Sequence, residues 1–399
     1  MALKLVYGVF TLALLGISSV NADCSLKIPE SVENEKTPVI MVRKSLKTFE
    51  YDLFQPTGEV TNFPERTELL LACTGAQNYF KNGEESVTLM CHNNEFDDGQ
   101  GNGLDLFTCV KTPTAELRKT KERCSLGDLY VYDVVFRISE EELVGPVYDI
   151  CYNEYSQKPA YSRNIINGAA VNYRVPESET DLTVSLAKDF TTRDVNNYFK
   201  LENQKQRFQG YTIDGKPLVD DKNFFAPGQL APDTSMITPA DKLSTYDYAN
   251  IVPQYKTVYD GNVWRVENIT RDLAVNRQAK FEVYTGGYER LTALHNGKEE
   301  EIFLSAKKYV HEIPKYIYKF VVDKENDAGI VFFTLNNPHV KNVKGTEFCK
   351  NQCEEANVLD SNFKDWTQGY TFCCTWNNVK DYVRALPQDI EINNLLKFN

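Results

Sequence analysis

The chain has 399 residues and carries 56 acidic against 44 basic side chains, a net charge of −12. A protein that grips nucleic acid by its phosphates usually shows a basic footprint, so this balance argues against polyanion binding over the whole surface and leaves open only a local basic groove. The charge itself is what a soluble secreted protein needs.

The first residues place Lys4 before an apolar run from Leu5 to Ile17, followed by Val20-Asn21-Ala22. A charged start, a short apolar centre and small residues at the end make a secretory signal peptide over 1–22, with cleavage expected after Ala22. No later stretch is long and apolar enough to cross a membrane, so a secreted, extracellular protein with no membrane attachment is expected. The ten cysteines fall in two groups, Cys24, Cys73, Cys91, Cys109, Cys124 and Cys151, then Cys349, Cys353, Cys373 and Cys374. An even number in a secreted chain reads as a disulfide framework, with the six pairing among themselves and the four among themselves. The last four could in principle hold zinc, but an oxidising compartment favours two disulfides. The long cysteine-free middle must hold itself together with a hydrophobic core.

Residues 23–145 read as a cysteine-rich, mostly β module. Leu69–Cys73 and Ser86–Cys91 are its strand candidates, separated by polar, glycine-containing loops. The loop Asn93–Gly101 is rich in oxygen ligands but matches no calcium-ligand spacing, and reads as a solvated loop. A second module, 146–399, follows. Tyr148–Asn153 and Ala169–Val175 read as strands, and Asp189–Arg207 carries a weak helical signal through Phe190, Val195, Tyr198 and Phe199. Gly210–Pro217 nearly spells a phosphate-binding loop, but Pro217 stands where a hydroxyl must meet the metal. Asp214-Gly215 suggests a turn between strands instead, so no nucleotide cofactor is expected. Trp264–Leu273 places Trp264, Val266, Ile269 and Leu273 at helical spacing, with Glu267 and Arg271 four apart on one face, which read by themselves as a surface salt bridge. Lys280–Thr285, Glu301–Leu304, Tyr316–Val322 and Gly329–Leu335 alternate as strands.

Three fragments, taken in order, carry a resemblance. They are Phe225-Ala226-Pro227-Gly228-Gln229-Leu230-Ala231-Pro232-Asp233, Tyr248-Ala249-Asn250-Ile251-Val252-Pro253-Gln254 and Trp264-Arg265-Val266-Glu267-Asn268-Ile269-Thr270-Arg271. With Val283–Tyr288, Val310-His311, Ile313–Lys319, Asn336-Asn337-Pro338 and the terminal cysteines, the stretch from about 146 to 375 resembles the DNA/RNA non-specific endonucleases, in particular the secreted arthropod-type branch. The resemblance implies an α+β architecture, the ββα-metal nuclease fold with a central antiparallel sheet, preceded by the smaller disulfide-rich module. It also implies DNA or RNA as ligand and a magnesium ion held mainly through water and one asparagine.

Carried over residue by residue, Asn250 matches the asparagine that orients the general base, and Glu267 and Arg271 match the pair that positions the scissile phosphate and the metal's water shell. The metal-ligand asparagine lies four residues before the tryptophan, which here is Asp260. The Asn250-to-Trp264 spacing is one residue longer than expected for the family, so Asn262 is the rival; an aspartate is still a hard oxygen ligand, so magnesium binding is expected to be altered, weakened or lost. The general-base histidine is replaced by Gln229, and Ala226 and Pro227 stand where the family has aspartate and arginine. A neutral amide orients water but accepts no proton near neutral pH, and general-base catalysis is worth about 10²–10⁴ in rate. The resemblance therefore implies an endonuclease-family protein with impaired or absent hydrolysis. An active magnesium-dependent extracellular nuclease with an unconventional base and a scaffold repurposed for an extracellular partner are the alternatives. Of the four histidines none matches the base position, and Asp233, four residues beyond Gln229, could face the site but is not taken as the replacement. Asn268-Ile269-Thr270 is a glycosylation sequon whose glycan would crowd the groove beside Glu267.

Overall fold

The computed structural model describes residues 23–28, 30–45, 50–124, 128–176, 195–306 and 311–399. The expected signal peptide, the first part of the 189–207 helix with Phe190, and Val310 lie outside the described residues. Among the described residues no helix is long and apolar enough to cross a membrane.

The N-terminal part is a five-stranded antiparallel sheet of β1 (Val39–Arg43), β2 (Tyr51–Leu53), β3 (Glu68–Ala72), β4 (Ser86–His92) and β5 (Glu95–Asp97), in the order β2-β1-β3-β4-β5. It closes over its own core, in which Leu69, Leu71, Leu89, Phe63, Phe80 and Phe96 are buried. Cys24–Cys91 and Cys73–Cys109 tie it together.

The rest is organised by one long antiparallel sheet. Its strands are β6 (Glu116–Arg123), β7 (Tyr130–Arg137), β8 (Leu143–Asn153), β9 (Lys158–Asn167), β12 (Lys280–Arg290), β13 (Pro314–Asp323), β14 (Ala328–Leu335) and β15 (Thr371–Cys374). They lie in the order β15-β14-β13-β12-β9-β8-β7-β6, and Asn394–Leu395 adds a ninth strand beside β14. The expected module division at 145/146 falls inside β8, and β6 and β7 belong to this sheet through the β7–β8 ladder. Alternation alone did not show this, because the ladder contacts are made across the supposed boundary. β13 and β14 are buried along nearly their whole length, as central strands covered on both faces must be. On one face Tyr161, Tyr284, Phe320 and Val331 pack with Trp376, whose indole stacks on Phe320 at 4.6 Å. The other face carries Ile166, Phe281, Val283, Val321 and Ile330.

Over that second face lies a ββα unit. β10 (Phe225–Gln229) pairs antiparallel with β11 (Ile251–Tyr255), and α3 (Trp264–Arg277) follows. Between the paired strands sits α2 (Pro239–Ser244), opened by a capping box in which Thr238 and Asp241 satisfy each other's backbone amides. The architecture is therefore α+β, with a central antiparallel sheet. Cys124–Cys151, Cys349–Cys374 and Cys353–Cys373 complete five disulfides with no free cysteine, and every pair lies within its expected group.

Three local expectations are corrected. Ala169–Val175, expected as a strand, instead begins with the short helix α1 (Gly168–Val171). β9 ends at Asn167, and Ala170 and Val171 turn into the core beneath α3 rather than extend the sheet. Of Glu301–Leu304 only Glu301 belongs to a strand, and Phe303 makes an isolated bridge to Glu312. The helical stretch before residue 207 is split, Asn196–Phe199 and Leu201–Arg207, by extended backbone at Lys200. The Asp214-Gly215 turn is present, with both residues at positive φ between the strands Tyr211–Ile213 and Lys216–Pro217.

Candidate active site

β10, the 230–246 segment and the start of α3 enclose a cavity of about 760 Å³. Gln229 sits in its wall as the last residue of β10, 4% exposed. Its Nε2 donates to Thr245 Oγ1 at 2.8 Å, and its Oε1 faces the Asp233 amide and the Tyr259 hydroxyl, each at 3.5 Å. The position expected for the base thus holds an amide that donates one of its two N–H groups to a buried hydroxyl.

Asn250 lies behind this wall, outside the cavity lining, and its side chain is not hydrogen-bonded to Gln229. Fully buried, it donates Nδ2 to the carbonyls of Ala231 and Thr245, while Oδ1 accepts from Ser162 Oγ and the Ala231 amide. It locks the two backbone segments that present Gln229 and its partner Thr245. Its influence on the site runs through position, not contact.

Glu267 faces the cavity from the first turn of α3, 5% exposed. The surface pair with Arg271 does not form. The nearest cation to Glu267 is Lys319 of β13, at 4.0 Å and equally buried, whose Nζ donates to Thr285 Oγ1 at 2.8 Å. Burial pushes the Glu267 carboxyl up to about 7, against the pull of the Lys319 charge, and burial pushes Lys319 down. Lys319 reaches this place because Ser162, Thr285 and Lys319 lie opposite one another across β9, β12 and β13, on the face beneath α3. Arg271, a turn further along, bonds through Nη2 to Asn268 Oδ1 at 2.6 Å, and its buried Nη1 has no hydrogen-bond partner. Asn268 is half-buried in the helix, and the sequon hydroxyl of Thr270 is buried and donates to the Val266 carbonyl.

The two metal-ligand candidates separate. Asp260 lines the cavity, but its carboxylate is paired with Lys256 at 2.6 Å. Asn262 is anchored away from it, donating to the carbonyls of Asn362 and Gly369. The extra residue between Asn250 and Trp264 is taken up by a widened π turn over Tyr259–Val263, non-helical at Gly261. A Cβ at Gly261 would come within 2.8 Å of Gln368. The turn brings Tyr259 to the cavity wall, where its hydroxyl meets Gln229. Among the described residues no three His, Cys, Asp or Glu side chains converge as a metal cage. An ion held mainly through water needs no such cage: Asp260 offers a carboxylate at the cavity, and the buried Oδ1 of Asn262 has no hydrogen-bond partner among the described residues.

No histidine lines the cavity. His92 bonds Glu65 in the N-terminal sheet, His295 stacks on Tyr211, His311 lies by Tyr198, and His339 is buried against Tyr255. Asp233 does line it, with its carboxylate accepting from the Tyr246 hydroxyl at 2.6 Å. Tyr246, Tyr259 and Lys319, together with Glu33 and Glu35 from the N-terminal part, were not legible as site residues. They are brought in from separate segments and carry no motif.

A ββα unit on an antiparallel sheet, with Asn250, Glu267 and Arg271 in the order the resemblance implies, is the architecture of the nuclease class. Residues 127–379 match the DNA/RNA non-specific endonuclease family, and the chain belongs to it. It is 42% identical over 398 residues to salivary protein Tsal2A of Glossina morsitans morsitans, covering 99% of this chain and all of that protein. It is 30% identical to a salivary endonuclease of Lutzomyia longipalpis over 95% of this chain and 90% of the other, and 25% identical to one of Culex quinquefasciatus over 80% and 81%. Among solved structures, the EndoG/EndoGI complex overlays with a TM-score of 0.37 at 14% identity, over 63% of this chain and 88% of that one.

Proposed function

We propose that this chain is a secreted member of the family that binds DNA or RNA without appreciable hydrolysis. The observation that carries the reading is the environment of Gln229, an amide that donates to Thr245 in a cavity with no histidine in its described lining. Binding is affected differently from cleavage. Phosphate contacts are spread over many groups, whereas deprotonating water needs one acceptor at one place. Loss of the base therefore removes turnover and leaves binding. Secretion is supported by the N-terminal sequence pattern and the five disulfides, and by the salivary names of the relatives. Binding of this kind rests on spread phosphate contacts and does not require magnesium, the family's ion.

A second reading rests on Asp233, the carboxylate that lines the cavity beside Gln229 and would serve as a poor substitute base. The test is a cleavage and gel-shift series on the purified mature protein with single-stranded and duplex DNA and RNA, with magnesium or with EDTA. The expected result is a salt-sensitive shift, unaltered by EDTA, with no cleavage. The triple variant Ala226→Asp, Pro227→Arg, Gln229→His is expected to gain magnesium-dependent cutting. Robust magnesium-dependent cleavage by the natural chain that disappears in Asp233→Asn would establish the second reading.

A further inference from the structure

The cavity beside Gln229 holds about 760 Å³, the size of a small-molecule site. Its described lining offers two kinds of surface. Tyr246, Tyr259 and Trp264 bring aromatic rings, and Val175, Pro239 and Leu243 bring apolar side chains. Both tyrosine hydroxyls are engaged, Tyr246 on Asp233 at 2.6 Å and Tyr259 on Gln229 Oε1 at 3.5 Å. Trp264, at the start of α3, is 49% exposed.

The second kind is polar and uncharged. Gln229 donates one of its two N–H groups to Thr245, and its Oε1 makes only long contacts, each at 3.5 Å. Thr234 lines the same space, and its buried hydroxyl has no hydrogen-bond partner among the described residues. Such a group costs free energy until something pairs with it, and a hydroxyl can both donate and accept. An amide near a hydroxyl suits the mixed donor and acceptor edge of a nucleobase, as glutamine suits adenine. Proteins that hold a base out of its stack use aromatic or apolar faces for the ring and hydrogen bonds for the edge.

We propose that this cavity takes one unpaired nucleobase of a bound strand, stacked on Trp264 with its polar edge toward Gln229 and Thr234. This base subsite rests on the nucleic-acid binding proposed above, and it adds a contact to the base where the spread contacts are to phosphate. The base is uncharged and needs no counter-charge from the lining, where the Asp260 carboxylate is paired with Lys256 and Glu267 lies by Lys319. The substitution at the base position then has a use. An amide that cannot take a proton from water can still bond the edge of a base.

The test is equilibrium binding of the intact mature protein, in EDTA at fixed salt, to two labelled probes. One is a single strand of mixed sequence, and the other is a fully abasic strand of the same length, which keeps the sugar–phosphate backbone alone. The intact strand is expected to bind about tenfold or more tighter than the abasic one. Trp264→Ala should weaken the intact strand about fivefold or more, and Thr234→Val about twofold or more, with the abasic affinity unchanged in both. Trp264→Phe keeps a ring and should retain most of the affinity. Melting temperatures are measured alongside, and the comparison of the two strands needs no variant. Binding of neither strand removes the nucleic-acid reading and the subsite together. An abasic strand that binds as tightly as the intact one, or intact-strand affinity unchanged in Trp264→Ala or Thr234→Val, overturns the subsite and leaves the nucleic-acid reading standing.

Discussion

Asn250 shows how one side chain can matter to the site without touching it. Its four hydrogen bonds join Ser162 on the sheet, Ala231 beyond β10 and Thr245 at the end of α2. Asn250→Ala leaves those partners orphaned in a fully buried place, where each costs about 1–3 kcal/mol. A loss of at least about 3 kcal/mol is therefore expected by denaturant titration, with Thr245 and Gln229 released from their present geometry. Asp149 gives the pH counterpart. Burial lifts its carboxyl to about 6, and the neighbouring Arg163, at 2.7 Å, opposes the rise. The folded value lies above the unfolded one of about 3.9, so its contribution to stability is fully present below about pH 4 and is lost as pH rises through about 6. Asp149→Asn should flatten the fall in melting temperature between pH 4 and 7. An unchanged slope would show that other groups set it.

At the scale of elements, the long strands were legible because alternation and apolar runs report burial directly. β13 and β14 read as alternating strands and are the buried centre of the sheet. Helix α3 was legible from Trp264, Val266, Ile269 and Leu273, and the nuclease frame from motifs that survive around Gln229. What stayed hidden depends on close tertiary approach. Ala169–Val175 reads as a strand, yet Gly168–Val171 forms α1, where Gly168 meets α3 backbone to backbone. A Cβ there would lie 1.9 Å from the Ala274 carbonyl oxygen, an overlap that no side-chain rotation relieves. Gly168→Ala should cost about 1–3 kcal/mol or more by forcing the two helices apart. Thermal unfolding reads this cost, and a cost below a few tenths of a kcal/mol would mean that the α1–α3 contact yields freely. Lys319 was hidden for a related reason. Alternation marks it as one residue of a strand, and only the register across β9, β12 and β13 carries it beneath Glu267.

For the whole molecule, the disulfides and the cores are distributed unequally, and this predicts an order of unfolding. The N-terminal sheet has its own core and two bridges, which close separations of 67 and 36 residues. On the chain-entropy account each is worth about 4 kcal/mol, so losing both takes about as much as the 5–15 kcal/mol that holds a typical domain folded. The long sheet is different. Its central strands β12, β13 and β14 contain no cysteine, and two packed faces sustain them. Its C-terminal bridges pin only β15 at one edge. Under mild reduction in native buffer, hydrogen exchange should therefore show β1, β3 and β4 losing protection first, while β12–β14 keep theirs. Because Glu33 and Glu35 wall the cavity from the N-terminal side, that first step should also open the site, and the fluorescence of Trp264 should shift to the red together with the loss of N-terminal protection. Simultaneous loss of protection in both sheets would mean that the N-terminal part and the nuclease core fold as one cooperative unit, with the disulfides supporting both alike.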